Sequence, residues 1–207
     1  FNRRLSKEGP QGQTRFHWDG DVLVHAQRDS ALTTWDFLPN AHELVSQQDK
    51  GSTLFAVADH LGVPQELVTD EGRVGWARKL GPFGAPRNED APLAECPLRY
   101  PGQWADAESG LSYNRHRYYA PWAAQYLSPD PLQLFDDPNG AYGYSTNPLQ
   151  WTDPLGLINV TYDAYDTVRD RPGGVYAEIS PSDIGTGSHA TYTPSGFNNA
   201  HPDHHER

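Results

Sequence analysis

Hydrolysis of a peptide bond without a metal ion or a nucleophilic side chain can be done by two carboxyl groups that share a proton. One acts as base toward water and the other donates to the carbonyl oxygen. Close carboxyls do not both ionise cheaply, so one keeps its proton at neutral pH, and their titration belongs to the pair. The sequence offers such groups in stiff local settings. Asp130 in "SPDP" and Asp153 in "TDPLGL" each precede a proline, which fixes the chain and disfavours helix at the residue before it. Asp136 and Asp137 are equally available by composition. On residue type alone, Asp-Pro is a common turn opening, and each of these reads as a turn residue. Asp153 stands in "QWTDPLGLINV", residues 150–160, where an Asp-Pro turn, a loosening Gly156 and an apolar run follow one another. Such a stretch is either a loop between domains or a place where the chain is cut. The residues alone leave both open.

Other chemistries have weaker support. Ser128, Ser145 and Thr152 lack a motif that supplies a matched base, and Cys96 stands alone beside Pro97. His201, Asp203, His204 and His205 in "HPDHHER" are ligand types at short spacing. They complete neither a paired-cysteine site nor a helical His-Glu-x-x-His, so they read as a solvated end; no metal and no cofactor is expected. Arg115, His116 and Arg117 read as surface or packing residues rather than as counter-charges to buried acids.

The elements that position these residues read as strands. Residues 14–90 look like repeated hairpins: "TRFHWDGDVLVHAQRD" has an Asp19-Gly20 step between two strand-like runs, and Asp-Gly supplies the positive dihedrals of a tight turn. Further turns fall at Pro39-Asn40, Gly62 to Pro64 and Glu71-Gly72, a spacing that suits an antiparallel meander. A Pro-rich spacer, "APRNEDAPLAECP", runs to Pro97. Aromatic strands then flank the turns "DAESG" and "APWA", and a turn-rich stretch, "DDPNGAYGYSTNPLQWTDPLGL", packs against them. After Leu157 the composition shifts, with four of the nine histidines in residues 158–207. Those residues read as the opening of a second domain.

Bulk properties narrow the class. Aromatics make up 12% of the 207 residues, with 19 Gly and 18 Pro, which fits short aromatic strands between tight turns. The formal charge of −11 argues against general binding to a phosphate backbone. One cysteine allows no internal disulfide. No apolar stretch approaches the length of a membrane span, and no basic-then-apolar start marks a secretion signal. Phe1 in place of an initiator methionine suggests a piece of a longer chain.

"FHWDGDVLVH", "DHLGVPQELVTDEGRVGWA", "LRYPGQWADAESGLSYNRHRYYAPWAAQYLSPDP" and "NPLQWTDPLGL" resemble the C-terminal core of bacterial Rhs (rearrangement hot spot) proteins with YD repeats, in the family's order, over residues 14–157. The family includes the C components of insecticidal toxin complexes and is similar to the shell of teneurins. The resemblance implies an all-β fold, in which antiparallel YD-repeat hairpins form the end of a spiralling shell, followed by a turn-rich core plug and the start of a small toxin domain. It implies three regions: a shell segment at 1–97, the Rhs-associated core at 98–157, and the first part of the toxin at 158–207. It implies self-cleavage between Leu157 and Ile158 after a motif formed here by Pro148, Asp153, Pro154, Gly156 and Leu157, with Asp130 and Asp153 as an aspartyl-type catalytic pair. The implied partners are the enclosed toxin, a cognate immunity protein and spike or adaptor proteins of a secretion system such as type VI. Nucleic acid enters only through the toxin. The implied life history is an effector made in the bacterial cytoplasm and delivered to a target cell for interbacterial competition. The sequence departs from the family at Ala120, where an Asp is frequent, and at Ala124-Gln125, where Gly-Arg is frequent; no arginine role carries over at the second place. The rival readings are an uncleaved, teneurin-like adhesive scaffold and a toxin-complex C component. The toxin's own activity, whether nuclease, deaminase or ADP-ribosyltransferase, stays open.

Overall fold

The computed structural model describes residues 3–10, 12–39, 41–132, 140–145, 147–157 and 160–161. Every regular element among them is a β-strand. Nine strands form one antiparallel meander in which each pairs with its sequence neighbours: β1 Ser6–Gly9, β2 Gly12–Asp19, β3 Val22–Arg28, β4 Ala31–Phe37, β5 Leu44–Asp49, β6 Ser52–Ala58, β7 Pro64–Val68, β8 Val74–Leu80 and β9 Pro86–Asp90. A second sheet holds β10 Trp104–Ala105, β11 Ser112–Asn114, β12 Arg117–Ala120 and β13 Gln125–Tyr126 in the same sequential order. A third, of two strands, pairs β14 Trp151–Thr152 with β15 Val160–Thr161.

The turns set this register. Asp19 pairs with Val22, so Gly20-Asp21 forms the two-residue loop, with Gly20 at a φ of 55°. Lys50-Gly51, both at positive φ, closes β5 onto β6 with Asp49 opposite Ser52. The sequence reading differs from the structure at residues 86–90. The stretch taken as part of a spacer is β9, paired to β8 from Ala77↔Asp90 to Leu80↔Pro86. All five of its residues are exposed, so no alternation marks it, and its proline sits in an outermost strand of the sheet, where a missing donor is tolerated.

One face of the meander is apolar. Phe16, Leu23, Trp35, Leu44, Leu54, Leu67 and Trp76 meet Ala94, Cys96, Trp104 and Tyr113 in one core. Trp35 and Trp104 meet edge to face at 4.7 Å. The buried indole donors are satisfied: Trp35 Nε1 donates to Gln47 Oε1 at 2.9 Å, and Trp76 Nε1 to Glu89 Oε1 at 2.8 Å. The small sheet therefore lies on the large one. Its other face, with Tyr119 and Tyr126, joins Tyr100, Tyr144, Leu61 and Val63 in a second core. Cys96 is buried in the first core, and burial pushes its thiol up to about 11, so it is no nucleophile at neutral pH.

Candidate active site

The register of the small sheet builds half of the site. Asn114 pairs with Arg117 across the Arg115-His116 turn, Ser112 with Tyr119, and Tyr119 with Tyr126. Directly paired residues share a face, so Asn114, Arg117, Tyr119 and Tyr126 project together, on the side away from Tyr113 and Tyr118. The turn closes with Arg115 at a φ of 50°.

The second half is the segment around Asp153, folded onto that face. Asn114 Nδ2 donates to the Asp153 carbonyl at 2.8 Å, and His116 N donates to Leu155 O at 3.1 Å. Two glycines permit the approach. A Cβ on Gly102 would lie 1.9 Å from the Pro154 carbonyl oxygen, and one on Gly156 would lie 2.5 Å from Asn114 O. Both glycines also have positive φ, 77° and 72°, a region in which side chains are strained.

At the centre stands Arg117, whose side chain is 2% exposed. Its Nη2 meets Asp130 Oδ2 at 2.9 Å and Asp153 Oδ2 at 3.2 Å. Its Nε donates to Gly156 O at 2.6 Å and its Nη1 to Ala141 O at 3.2 Å. The guanidinium also stacks on Tyr126, 3.6 Å from the ring centroid. Asp130 is brought there by a turn: its Oδ1 accepts from Leu132 N at 2.7 Å, and its own N–H donates to Ala141 O at 2.8 Å. Asp153 Oδ1 accepts from Leu157 N at 2.9 Å, and its Oδ2 accepts from the Tyr126 hydroxyl at 2.8 Å. Asp130 and Asp153 are 6% and 1% exposed, so both carboxyls lie in a medium that strengthens every one of these contacts.

The structure thus brings Asp130 and Asp153 onto one guanidinium nitrogen and folds Leu157 back onto Asp153. Pro154 and Gly156 lie in the same buried turn, while Pro148 stands in a separate turn in which Gln150 N and Trp151 N both donate to Asn147 O. Ile158, Asp136, Asp137 and the stretch carrying His201, Asp203, His204 and His205 lie outside the described residues. Among the described residues no cluster of His, Cys, Asp and Glu could hold a metal ion. Ser145 and Thr152 are buried hydroxyls without a hydrogen-bond partner among the described residues.

The sequence reading needs correction at Arg117. It is not a surface residue but the buried counter-charge of both aspartates. Arg115 pairs instead with Asp21, its Nε 3.0 Å from Oδ1. The available signal was a charged residue inside an aromatic strand, at a position that pairing places on the same face as Tyr119 and Tyr126. Asn114, Tyr126 and Gly102 also escaped the sequence reading, and their roles arise only from the approach of the Asp153 turn.

No family model matches the chain. The fold is similar to that in the Tc holotoxin pore of Photorhabdus luminescens, with a TM-score of 0.59 at 20% identity over 75% of this chain and 8% of that one. The likeness is one of fold, a sequential antiparallel β-sheet architecture of the kind found in that structure. In sequence, the chain is 33% identical over 199 residues to the probable deoxyribonuclease RhsA of Dickeya dadantii, covering 91% of this chain and 14% of that protein. It is 31% identical over 165 residues to double-stranded DNA deaminase toxin A of Burkholderia cenocepacia, covering 69% of this chain and 12% of that protein. The chain belongs to the Rhs family, and it spans about an eighth of the length of these relatives.

Proposed function

We propose that residues 1–157 are the closing part of an Rhs shell that cuts its own chain between Leu157 and Ile158, and that residues 158–207 open the enclosed toxin. The observation that carries this reading is the buried meeting of Asp130, Asp153 and Arg117 beneath a turn whose Leu157 amide is already bonded to Asp153. Two carboxyls beside one guanidinium are neutral as a group when a single proton is shared between them, which is the cheapest state for buried charges. We assign the base to Asp153, which accepts from the Tyr126 hydroxyl in addition to Arg117 and Leu157 N, and the acid to Asp130.

Asp153 takes a proton from water as the water oxygen bonds to the Leu157 carbonyl carbon. Asp130 gives its proton to the carbonyl oxygen. Collapse breaks the carbon–nitrogen bond as the proton on Asp153 passes to the Ile158 nitrogen and Asp130 takes a proton back from one hydroxyl. The products are a Leu157 carboxyl group and an Ile158 amine, with both aspartates returned to their starting states. Arg117 on Gly156 O and Asp153 on Leu157 N hold the two residues before the bond, so the step is intramolecular, and orientation of this kind supplies up to about 7–11 kcal/mol. One turnover per chain is sufficient.

The shell keeps the toxin away from the cell that makes it and travels with it, through a contact-dependent or type VI route, into a competitor. A cognate immunity protein guards the producer. Relatives that share this segment are named for different activities, a deoxyribonuclease and a DNA deaminase, as expected of a common shell with exchangeable cargo. The match to RhsA covers more of the chain than residues 1–157 contain, and this favours a nuclease in the tail.

Intact mass and N-terminal sequencing of the full-length protein test the reading. Two associated fragments, one beginning at Ile158, are expected. Asp153→Asn is expected to leave a folded, uncut chain. A single polypeptide in the unaltered protein supports the scaffold reading instead, and a fully processed Asp153→Asn chain removes Asp153 from the mechanism.

A further inference from the structure

We infer that Tyr126 is a positioning residue for the cleavage, oriented by Asn114 so that its hydroxyl turns and holds the carboxylate of Asp153; the inference rests on the function proposed above. The argument is one of hydrogen-bond direction. The Asp153 carbonyl accepts only, so the Asn114 amide must present its nitrogen there, at 2.8 Å. The same nitrogen lies 2.7 Å from the Tyr126 oxygen, which therefore accepts. The one proton of that phenol is left for Asp153 Oδ2, 2.8 Å away. A reversed amide would set its oxygen against the Asp153 carbonyl oxygen, which only accepts, so the chain from Asn114 through Tyr126 to Asp153 has one direction.

The consequence is geometric. Tyr126 and Arg117 Nη2 both bond Oδ2 of Asp153, which leaves Oδ1 on the side of Leu157 N. Rotating the carboxyl about its bond to Cβ would lose all three contacts. The phenol is itself immobile. Its ring stacks on Arg117 and meets Tyr119 and Tyr144 with centroids 5.6 and 5.9 Å apart. Asn114 and Tyr126 are fully buried. Burial, reinforced by the Asp153 carboxylate, pushes the Tyr126 phenol well above its ordinary range, so it remains a donor wherever carboxyl groups titrate. The charged or titratable groups that face Asp153 are Arg117 from β12, Tyr126 from β13, Asp130 from the segment after β13, and Tyr144 from the segment before β14.

Removing the donor favours the protonated form of the base, so the acid limb of the cleavage profile moves to higher pH. The test uses the full-length chain recovered uncut from inclusion bodies in urea and refolded by dilution into buffers of about pH 3 to 6, the range in which carboxyls titrate. Cleavage is followed on quenched samples. Tyr126→Phe keeps the ring and its packing. It is expected to cleave about tenfold more slowly than the unaltered chain, a loss of the size of one hydrogen bond to a charged group, with the acid limb displaced upward. A ring-fluorinated tyrosine at 126, a stronger donor of the same shape, is expected to displace the limb downward, and it decides the question if Tyr126→Phe fails to fold. A folded Tyr126→Phe chain with unchanged rate and profile overturns the inference. So does one that is slowed with an unmoved limb, or a fluorinated chain whose limb stays in place. Asp153→Asn runs beside them: cleavage there defeats the proposed function itself, whereas a dead Asp153→Asn with an unaffected Tyr126→Phe defeats only the role of Tyr126.

Discussion

At the scale of single residues, the site depends on a guanidinium that makes five contacts at once. Arg117 bonds Asp130 and Asp153 through Nη2, Gly156 O through Nε and Ala141 O through Nη1, and it stacks on Tyr126. A lysine ammonium is a compact point charge with neither a fork nor a flat face. Arg117→Lys is therefore expected to keep the fold and to slow self-cleavage by about a hundredfold, as orientation lost near a reacting centre does; processed fraction on a gel over time checks this. Arg117→Leu removes the charge and leaves buried carboxylates uncompensated, at a cost of about 3–5 kcal/mol, read as a lowered urea midpoint. The two aspartates were legible in the sequence only through the family motif, because each Asp-Pro step looks like an ordinary turn opening. Arg117 was not legible, because "NRHRYY" places three basic residues, Arg115, His116 and Arg117, side by side. Only tertiary packing reveals that Arg117 points inward while Arg115 turns toward Asp21.

At the scale of elements, the turn carrying the motif is held by close backbone approach as much as by side chains. Gly102 and Gly156 each lie against the backbone of another segment. An alanine at 102 would meet both a positive φ and the Pro154 carbonyl at a separation no Cβ tolerates, so the Asp153 turn must lift. Gly102→Ala is expected to cost about 1–3 kcal/mol, in the range of backbone strain at one residue, and to abolish processing although no catalytic group is altered. Denaturation by urea together with the processed fraction measures both. The strands were largely legible: Asp19-Gly20, Gly62 to Pro64 and Glu71-Gly72 fall at or beside real hairpin loops, where chemistry and register agree. β9 was not, because an exposed strand beginning at a proline has neither alternation nor apolar content to announce it.

At the scale of the whole molecule, the small sheet must stay seated on the meander for the site to exist, and part of that seating is ionic. Asp106 in the β10–β11 turn meets Arg4 at 3.1 Å and also Lys7 of β1. Burial alone would push the Asp106 carboxyl up, but Lys7 and Arg4 outweigh it and hold the carboxyl below its ordinary value. A carboxylate lowered on folding adds stability above its unfolded value of about 3.9 and loses it as the pH falls through the lower folded value. Asp106→Asn is expected to cost about 1 kcal/mol at neutral pH, the size of a partly screened ion pair. It is also expected to flatten the stability curve below about pH 4, measured by urea midpoints at several pH values. The two rungs of β14 and β15, Trp151↔Thr161 and Thr152↔Val160, close the segment that carries the motif turn into a hairpin. The proposed cut after Leu157 would fall between the two arms and leave them stitched together by those rungs. A pull on the downstream arm is then expected to part the rungs one after another instead of shearing them together, so the proposed release needs less force than parting both at once.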